Sequence, residues 1–188
     1  MSTASTSFFS CFPRPSSSAN VDTFHQTSNF KLEHHFRPSS SEMSTFPCVI
    51  GPPEGSPHTH TVIFLHGRDS NAVEFASEFF ESEASGPEAD RTMTSLFPTI
   101  RWVFPQATTL RSARFNSDMS QWFDMWSLDN VQERSGMQVA GLRLSVETVL
   151  QIIKDEERIV PRDRIFLAGI SQGFATCVTI PSQFFAIS

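Results

Sequence analysis

Residues 164–173 have the sequence RIFLAGISQG, and this stretch decides the fold. It begins with a short run of apolar residues, which is typical of a strand buried on both faces of a parallel sheet. A Gly-x-Ser-x-Gly pattern follows directly, with Ser171 between Gly169 and Gly173, and a segment with helical character comes next. The stretch therefore predicts a strand that reverses abruptly into a helix and carries a serine at the corner.

The glycines around Ser171 have a physical purpose. A strand that turns this sharply into a helix holds its corner residue at a strained φ/ψ, and side chains two positions away on either side would collide. Gly169 and Gly173 remove those collisions, so the hydroxyl of Ser171 stands free above the sheet edge. We interpret Ser171 as a nucleophile and the backbone N–H of Gln172 as a donor to an oxyanion. The alternative is that the pentapeptide is only a turn.

The residues before this corner alternate between predicted strands and predicted helices. The apolar runs at 61–65 (TVIFL) and 100–104 (IRWVF) have the length and composition of buried strands. The spacing of apolar residues predicts helices over 72–80 and from about 137 to 158, whereas 106–135 is rich in loop-forming residues. This order predicts an α/β fold in which helices flank a mainly parallel sheet.

A second loop, directly after the first predicted strand, is a candidate partner for the serine corner. Gly67 permits a close backbone approach there, and the backbone N–H of Arg68 is our candidate for the second oxyanion donor. The alternative is a helix-capping turn made by Asp69 or Ser70, and the two roles are compatible because capping uses a side chain. We interpret His66 as a structural histidine that braces the loop, not as a catalytic one.

Several blocks of sequence together resemble one known family. They are HTVIFLHG at 60–67, WVFP at 102–105, QWFD at 121–124 and GISQG at 169–173. In this order they resemble the acyl-protein thioesterase and carboxylesterase group of α/β-hydrolases, also called the phospholipase/carboxylesterase family, over about residues 58–177. The resemblance implies a Ser–His–Asp hydrolase of fatty-acyl thioesters or esters, such as S-acylated proteins or lysophospholipids, that needs no cofactor or metal.

The resemblance also suggests how the acyl chain is bound. In similar proteins the Trp-Phe-Asp block lies in a loop beside the active site, so Trp122, Phe123 and Trp126 are candidates to line an acyl groove. Simple packing of this loop onto the domain is an equal alternative. Asp124 is not expected to be the acid of the triad, because in this fold the acid follows the nucleophile in sequence.

After Ser171 the sequence departs from the family pattern. None of residues 172–188 is Asp, Glu or His, and all 6 histidines precede the serine. We therefore expect a partial α/β-hydrolase fold that lacks the C-terminal strands, with residues 165–168 as an exposed apolar sheet edge. The expected activity is impaired or absent. The alternative function is a non-catalytic chain that binds acyl groups or a partner protein.

Composition excludes several classes of partner. The net charge of −6, without a local run of Lys or Arg, argues against a nucleic-acid-binding protein. No apolar stretch approaches the length of a membrane span. No Gly-x-Gly-x-x-Gly follows a strand and no P-loop is present, so a nucleotide-binding domain is set aside. The sequence gives no indication of an oligomeric state.

The chain divides into three predicted regions. Residues 1–56 are rich in Ser, Thr and Pro and show no sustained apolar period, so we expect a disordered extension. Residues 57–180 are expected to form the N-terminal portion of the hydrolase domain, and 181–188 an atypical tail. We expect a cytoplasmic protein, with mitochondrial targeting by the acid-poor start of the extension as the alternative.

Overall fold

The computed structural model describes residues 46–82 and 91–181. The predictions made for residues 1–45, and for the tail after residue 181, lie outside the described residues. The strands are β1 (Cys48–Ile50), β2 (His60–Leu65), β3 (Ile100–Phe104), β4 (Thr109–Ser112), β5 (Ser117–Ser120) and β6 (Ile165–Gly169). The helices are α1 (Ala72–Glu81), α2 (Met93–Leu96), α3 (Gln138–Glu156) and α4 (Gln172–Thr179). None of the described helices combines the length and the hydropathy needed to cross a bilayer.

The central feature is a 4-stranded sheet in the order β1-β3-β2-β6. β2 pairs in parallel with β3 on one side and with β6 on the other, whereas β1 joins β3 in antiparallel orientation. β4 and β5 form a separate antiparallel hairpin. The predicted mainly parallel sheet is confirmed. Leu65 at the end of β2 lies opposite Gly169 at the end of β6, so the loops that follow these two strands meet at one sheet edge.

β2 supplies side chains to a core on each face of the sheet, since successive residues of a strand point to opposite faces. On one face, Ile63 belongs to a buried cluster that includes Val149 of α3. On the other face, Phe64 packs against α1, where its ring lies edge-on to Phe75 with the ring centroids 4.9 Å apart. Helices therefore flank the sheet as the alternating pattern predicted.

A buried carboxylate ties α3 to the beginnings of β2 and β3. Glu156 is 6% exposed. It accepts hydrogen bonds from Thr61 Oγ1 at 3.0 Å and from Arg101 Nε at 3.1 Å. Each of its partners lies near the start of a strand, whereas the serine corner lies after the end of one. The carboxylate thus braces the end of the sheet that is remote from Ser171.

Parts of the predicted organisation are wrong. β1 falls inside the region 1–56 that was expected to be disordered, so the domain begins before residue 57. This strand has 3 residues and its partner β3 is distant in sequence, so local composition gives no sign of it. The region 106–135 contains the β4–β5 hairpin, which is mostly polar and lacks the alternation of a half-buried strand. The single turn of α2 was also not predicted.

Candidate active site

Ser171 occupies the corner between β6 and α4 in a strained conformation. Its φ is 51° and its ψ is −120°, a region that non-glycine residues rarely adopt. The backbone on both sides is held in place. Ile170 N–H donates to the carbonyl of Leu65 at 3.1 Å, and Gly173 N–H donates to the carbonyl of Ile170 at 2.9 Å. The corner predicted from Gly-x-Ser-x-Gly is therefore present and is fastened to the end of β2.

The two flanking glycines are required by close backbone contacts. A Cβ on Gly169 would lie 2.5 Å from the carbonyl carbon of Gly173. A Cβ on Gly173 would lie 2.6 Å from the carbonyl oxygens of both Leu65 and His66. Backbone atoms cannot rotate away as side chains can, so neither position accommodates a larger residue. The predicted reason for these glycines is correct, and at Gly173 the obstacle is the end of β2.

The loop after β2 lies beside the serine, as predicted. A Cβ built on Gly67 would be 3.6 Å from the Cβ of Ser171, which is an ordinary van der Waals distance. Asp69 has a positive φ of 65°, and its N–H donates to the carbonyl of Ser120 in β5 at 2.7 Å. Neither Asp69 nor Ser70 caps α1. Asn71 does so, by accepting from the N–H of Glu74 at 2.9 Å.

Gln172, at the start of α4, has its backbone at this corner and its side chain in the protein interior. Gln172 is the first residue of the helix, so its N–H has no intrahelical acceptor. Its side chain is buried and pairs with the backbone of the 121–124 segment. Oε1 accepts from Trp122 N–H at 2.9 Å, and Nε2 donates to the carbonyl of Phe123 at 2.6 Å. This side-chain role was not predicted; the amide supplies both the acceptor and the donor that the two backbone groups need.

His66 is fully buried and both of its ring nitrogens are engaged. Nδ1 donates to the carbonyl of Gly67 at 2.7 Å, and Nε2 accepts from Ala107 N–H at 3.1 Å. Burial lowers the pKa of the imidazole, and the hydrogen bond to Gly67 opposes this only in part. The ring is therefore a neutral brace of the loop, in agreement with the structural interpretation.

The aromatic residues predicted for an acyl groove lie in different surroundings. Trp122 and Phe123 are only 2% and 4% exposed and belong to the core cluster of α3 and β2, which favours the packing alternative. Trp122 also donates its indole N–H to the carbonyl of His66 at 2.8 Å. Trp126 is partly exposed, and the guanidinium of Arg134 lies over its ring at 3.7 Å. A groove role for Trp126 stays a prediction.

The side chain of Arg68 has an environment that the sequence did not indicate. Its guanidinium lies over the ring of Phe115, in the turn of the β4–β5 hairpin, at 5.3 Å from the ring centroid. Its Nη1 is shielded from solvent and has no hydrogen-bond partner among the described residues. From the sequence, only the backbone N–H of Arg68 is a predicted functional group.

The other groups near the corner offer no competing chemistry. Cys177 of α4 donates its thiol to the carbonyl of Ala168 at 3.3 Å, and burial raises the pKa of this thiol to about 11. It is therefore not activated as a nucleophile. In residues 46–82 and 91–181, no three His, Cys, Asp or Glu side chains gather where they could hold a metal ion.

Comparison with known proteins gives a consistent result. A family model described as phospholipase/carboxylesterase matches residues 48–187, beginning at the first residue of β1. Acyl-protein thioesterase 1 of Cryptococcus neoformans is 32% identical over 131 residues, which is 69% of this chain and 50% of the relative. Acyl-protein thioesterase 1 of Yarrowia lipolytica is 33% identical over 135 residues, or 71% of this chain and 54% of the relative.

Similar solved structures include acyl-protein thioesterase 2 of Zea mays and the esterase PE8. The first has a TM-score of 0.47 at 23% identity and covers 71% of this chain and 49% of its own. The second has a TM-score of 0.49 at 19% identity and covers 71% of this chain and 55% of its own. The chain spans about half the length of the curated relatives it matches.

Proposed function

Because the chain belongs to the phospholipase/carboxylesterase family, we propose that it is a serine hydrolase of acyl thioesters or carboxylic esters with Ser171 as its nucleophile. The observation that supports this most strongly is the serine at φ 51° and ψ −120° beside Gly67. A strand-to-helix turn by itself would be formed without strain by glycine at this position. A serine held there against its backbone preference suggests that the hydroxyl is needed.

The proposed reaction begins with attack of Ser171 Oγ on the acyl carbonyl carbon, while the hydroxyl proton passes to a general base. The carbonyl oxygen becomes an oxyanion, and we assign the backbone N–H groups of Gln172 and Arg68 as its donors. The C–S or C–O bond then breaks, and the leaving thiol or alcohol takes up a proton. Water hydrolyses the acyl-serine, which releases the fatty acid and restores the hydroxyl.

Within residues 46–82 and 91–181, no histidine is placed to act as the general base for Ser171. His66 is committed to the carbonyl of Gly67 and the N–H of Ala107. His58 and His60 lie at or before the start of β2, at the opposite end of that strand from the corner. None of residues 172–188 is Asp, Glu or His. We propose that the 188 residues on their own turn over substrate slowly, since loss of triad members costs several orders of magnitude in rate.

The substrate class is proposed from the relatives. The similar proteins of Cryptococcus neoformans and Yarrowia lipolytica are acyl-protein thioesterases. We therefore propose fatty-acyl thioesters of protein cysteines as the first substrates to test, followed by lysophospholipids and simple carboxylic esters.

A second candidate function is binding without turnover. The engaged nitrogens of His66 favour it, because a serine without a base can still bind an acyl group at its oxyanion donors. In this proposal the corner retains acyl groups or an acylated partner protein and releases them unchanged.

A fluorophosphonate probe separates the two candidates. We expect the 188-residue chain to be labelled slowly and Ser171→Ala not at all, while Ser117→Ala, a change at an exposed serine of β5, labels like the wild type. Labelling that persists in Ser171→Ala would contradict the assignment of the nucleophile. Absence of labelling in the wild type, together with measurable binding of an acyl thioester, would support the binding function instead.

A further inference from the structure

Arg68, a partly exposed residue of the loop beside the proposed nucleophile, has one shielded guanidinium nitrogen without a hydrogen-bond partner among the described residues. A guanidinium stays charged at any ordinary pH and carries donors only. Its Nη1 is shielded from solvent and unpaired within the described residues. Leaving a shielded donor of a charged group without an acceptor costs free energy. A bound ligand that supplies the acceptor would remove that cost.

The surroundings of this guanidinium orient it, and among the described residues no carboxylate forms an ion pair with it. The ring of Phe115 lies 5.3 Å from Arg68 Cζ, a cation–π contact that limits the rotation of the side chain. Asp118, an acid of the same hairpin, is paired with Arg111 at 3.4 Å instead. The guanidinium is therefore oriented by the hairpin. Because Arg68 as a residue is partly exposed, an anion can approach its side chain from solvent and supply the acceptor that Nη1 lacks.

The position of Arg68 in the chain limits how far an anion bound by its guanidinium can lie from Ser171. The adjacent Gly67 approaches Ser171, with its virtual Cβ 3.6 Å from the serine Cβ. The backbone N–H of Arg68 is the proposed donor to the acyl oxygen, and its guanidinium lies within about 7 Å of that N–H by covalent geometry. An anion that reaches it is therefore only a few bonds from the scissile carbonyl.

We infer that the guanidinium of Arg68 is a specificity determinant that binds an anionic group, a carboxylate or a phosphate, on the leaving group of the substrate. The leaving group is chosen because a fatty-acyl chain carries no charge. This inference rests on the proposed function and narrows its substrates to acyl esters or thioesters with an acidic leaving group. The effect is on binding, through charge-assisted hydrogen bonds.

The test compares matched ligands that differ in the charge of the leaving group, which is neutral, singly negative or nearly doubly negative. S-octanoyl-3-mercaptopropionate carries a carboxylate near the thioester, its N-methylamide is neutral, and S-octanoyl-2-mercaptoethyl phosphate carries a phosphate. Dissociation constants are measured by calorimetry on the 188-residue chain in a Ser171→Ala background, which prevents acyl transfer. The added variants are Arg68→Gln, Arg68→Lys and Arg114→Gln.

Arg114→Gln is the matched control. Arg114 also lies over the ring of Phe115, at 5.4 Å, but it is exposed and already donates to the carbonyl of Trp126 at 2.9 Å. We expect an anionic ligand to bind about tenfold or more tightly than the neutral amide, as charged hydrogen bonds typically provide. Arg68→Gln should abolish this preference, Arg68→Lys should keep part of it, and Arg114→Gln should keep all of it.

Two results would overturn the inference: equal affinity of the parent for charged and neutral ligands, or equal loss in Arg114→Gln and Arg68→Gln. The phosphate carries the larger charge, so its tighter binding alone follows from charge, whereas tighter binding of the carboxylate indicates an acidic peptide. Matching urea midpoints confirm that each variant is folded. The affinities are measured without Ser171, so they do not depend on the nucleophile. Absence of probe labelling would therefore contradict the proposed function, whereas absence of a preference for anionic ligands would contradict only the role of Arg68.

Discussion

Ser171 adopts a backbone conformation, φ 51° and ψ −120°, that costs a non-glycine residue about 1–3 kcal/mol. The neighbours outweigh that cost, because Ile170 is bound to the end of β2 and Gly173 packs directly under it. The strain falls on the one residue whose hydroxyl the proposed reaction uses. Its conformation is therefore fixed before any substrate arrives.

Gly173 gives a direct test of this packing. We expect Gly173→Ala to lower the free energy of unfolding by about 3 kcal/mol or more, because its Cβ would lie 2.6 Å from two carbonyl oxygens that cannot rotate away. Gly67→Ala is the control, since its Cβ meets Ser171 at an ordinary 3.6 Å. Urea unfolding measures both. Similar losses in the two variants would contradict the close approach at Gly173.

Sequence predicted the residues of the corner but not the side chains that surround it. Ser171 and its glycines are recognisable because the turn depends on residues next to one another in the chain. Gln172 contacts Trp122 and Phe123, and Arg68 contacts Phe115. These contacts join segments that are distant in sequence, so no local pattern reports them.

The buried His66 predicts how stability responds to acid. Burial lowers the pKa of His66 below its usual 6.5, because the charged ring is poorly solvated there. The contribution of the neutral ring to the free energy of unfolding is therefore complete above about pH 6.5. It is lost as the pH falls below that value, because the unfolded chain binds the proton more readily than the folded protein. Protonation of Nε2 would also remove the acceptor for Ala107 N–H.

We expect the free energy of unfolding to fall between pH 7.5 and pH 5.5, because in this range the unfolded chain takes up the proton of this group more readily than the folded protein. Urea unfolding at the two pH values measures the change. NMR titration of the ring identifies its source, since the pKa of His66 should lie below its usual 6.5. A ring that titrates near 6.5 would contradict this account.

Whether the sequence predicts a helix or strand depends on how that element is stabilised in the fold. α1, α3, β2 and β3 bury apolar faces, and β6 contributes the buried Ile165; the sequence shows these elements as periodic or uninterrupted apolar residues. β1 is held by pairing with β3, and the β4–β5 hairpin by backbone hydrogen bonds between polar residues. Pairing of that kind leaves no periodic signature, so these strands were not predicted.

Glu156 joins three of these elements and provides a prediction at this scale. Glu156→Gln leaves the partly buried Arg101 without its counter-charge, so we expect a loss of about 2 kcal/mol in the free energy of unfolding. Glu147→Gln breaks an exposed pair with Arg143 on the same helix and should cost about 0.5 kcal/mol or less. Equal effects in urea unfolding would show that the buried carboxylate is not a brace.

At the scale of the whole molecule, the two ends of the sheet have different roles. The ends of β2 and β6 carry the loop of Gly67 and the corner of Ser171, as ligand sites in parallel sheets generally do. The beginnings of β2 and β3 carry the Glu156 network. Changes at Glu156 should therefore reduce stability without changing which residue a fluorophosphonate labels.

The outer edge of β6 gives the last prediction. Within the described residues this strand pairs only with β2, and Phe166 on it is 53% exposed. An unpaired apolar edge favours association with another chain, so we expect the 188-residue chain to self-associate as its concentration rises. Phe166→Lys should shift this association to higher concentration, because a lysine on an edge strand opposes pairing.

Leu128→Lys is the matched control, since Leu128 is 62% exposed but lies in a loop away from any strand edge. Sedimentation velocity over a range of concentrations measures the average mass of each variant. We expect Leu128→Lys to associate like the wild type, because it adds the same charge without touching the edge. A wild type that stays monomeric at every concentration, or two lysine variants that behave alike, would show that β6 is not the surface through which chains associate.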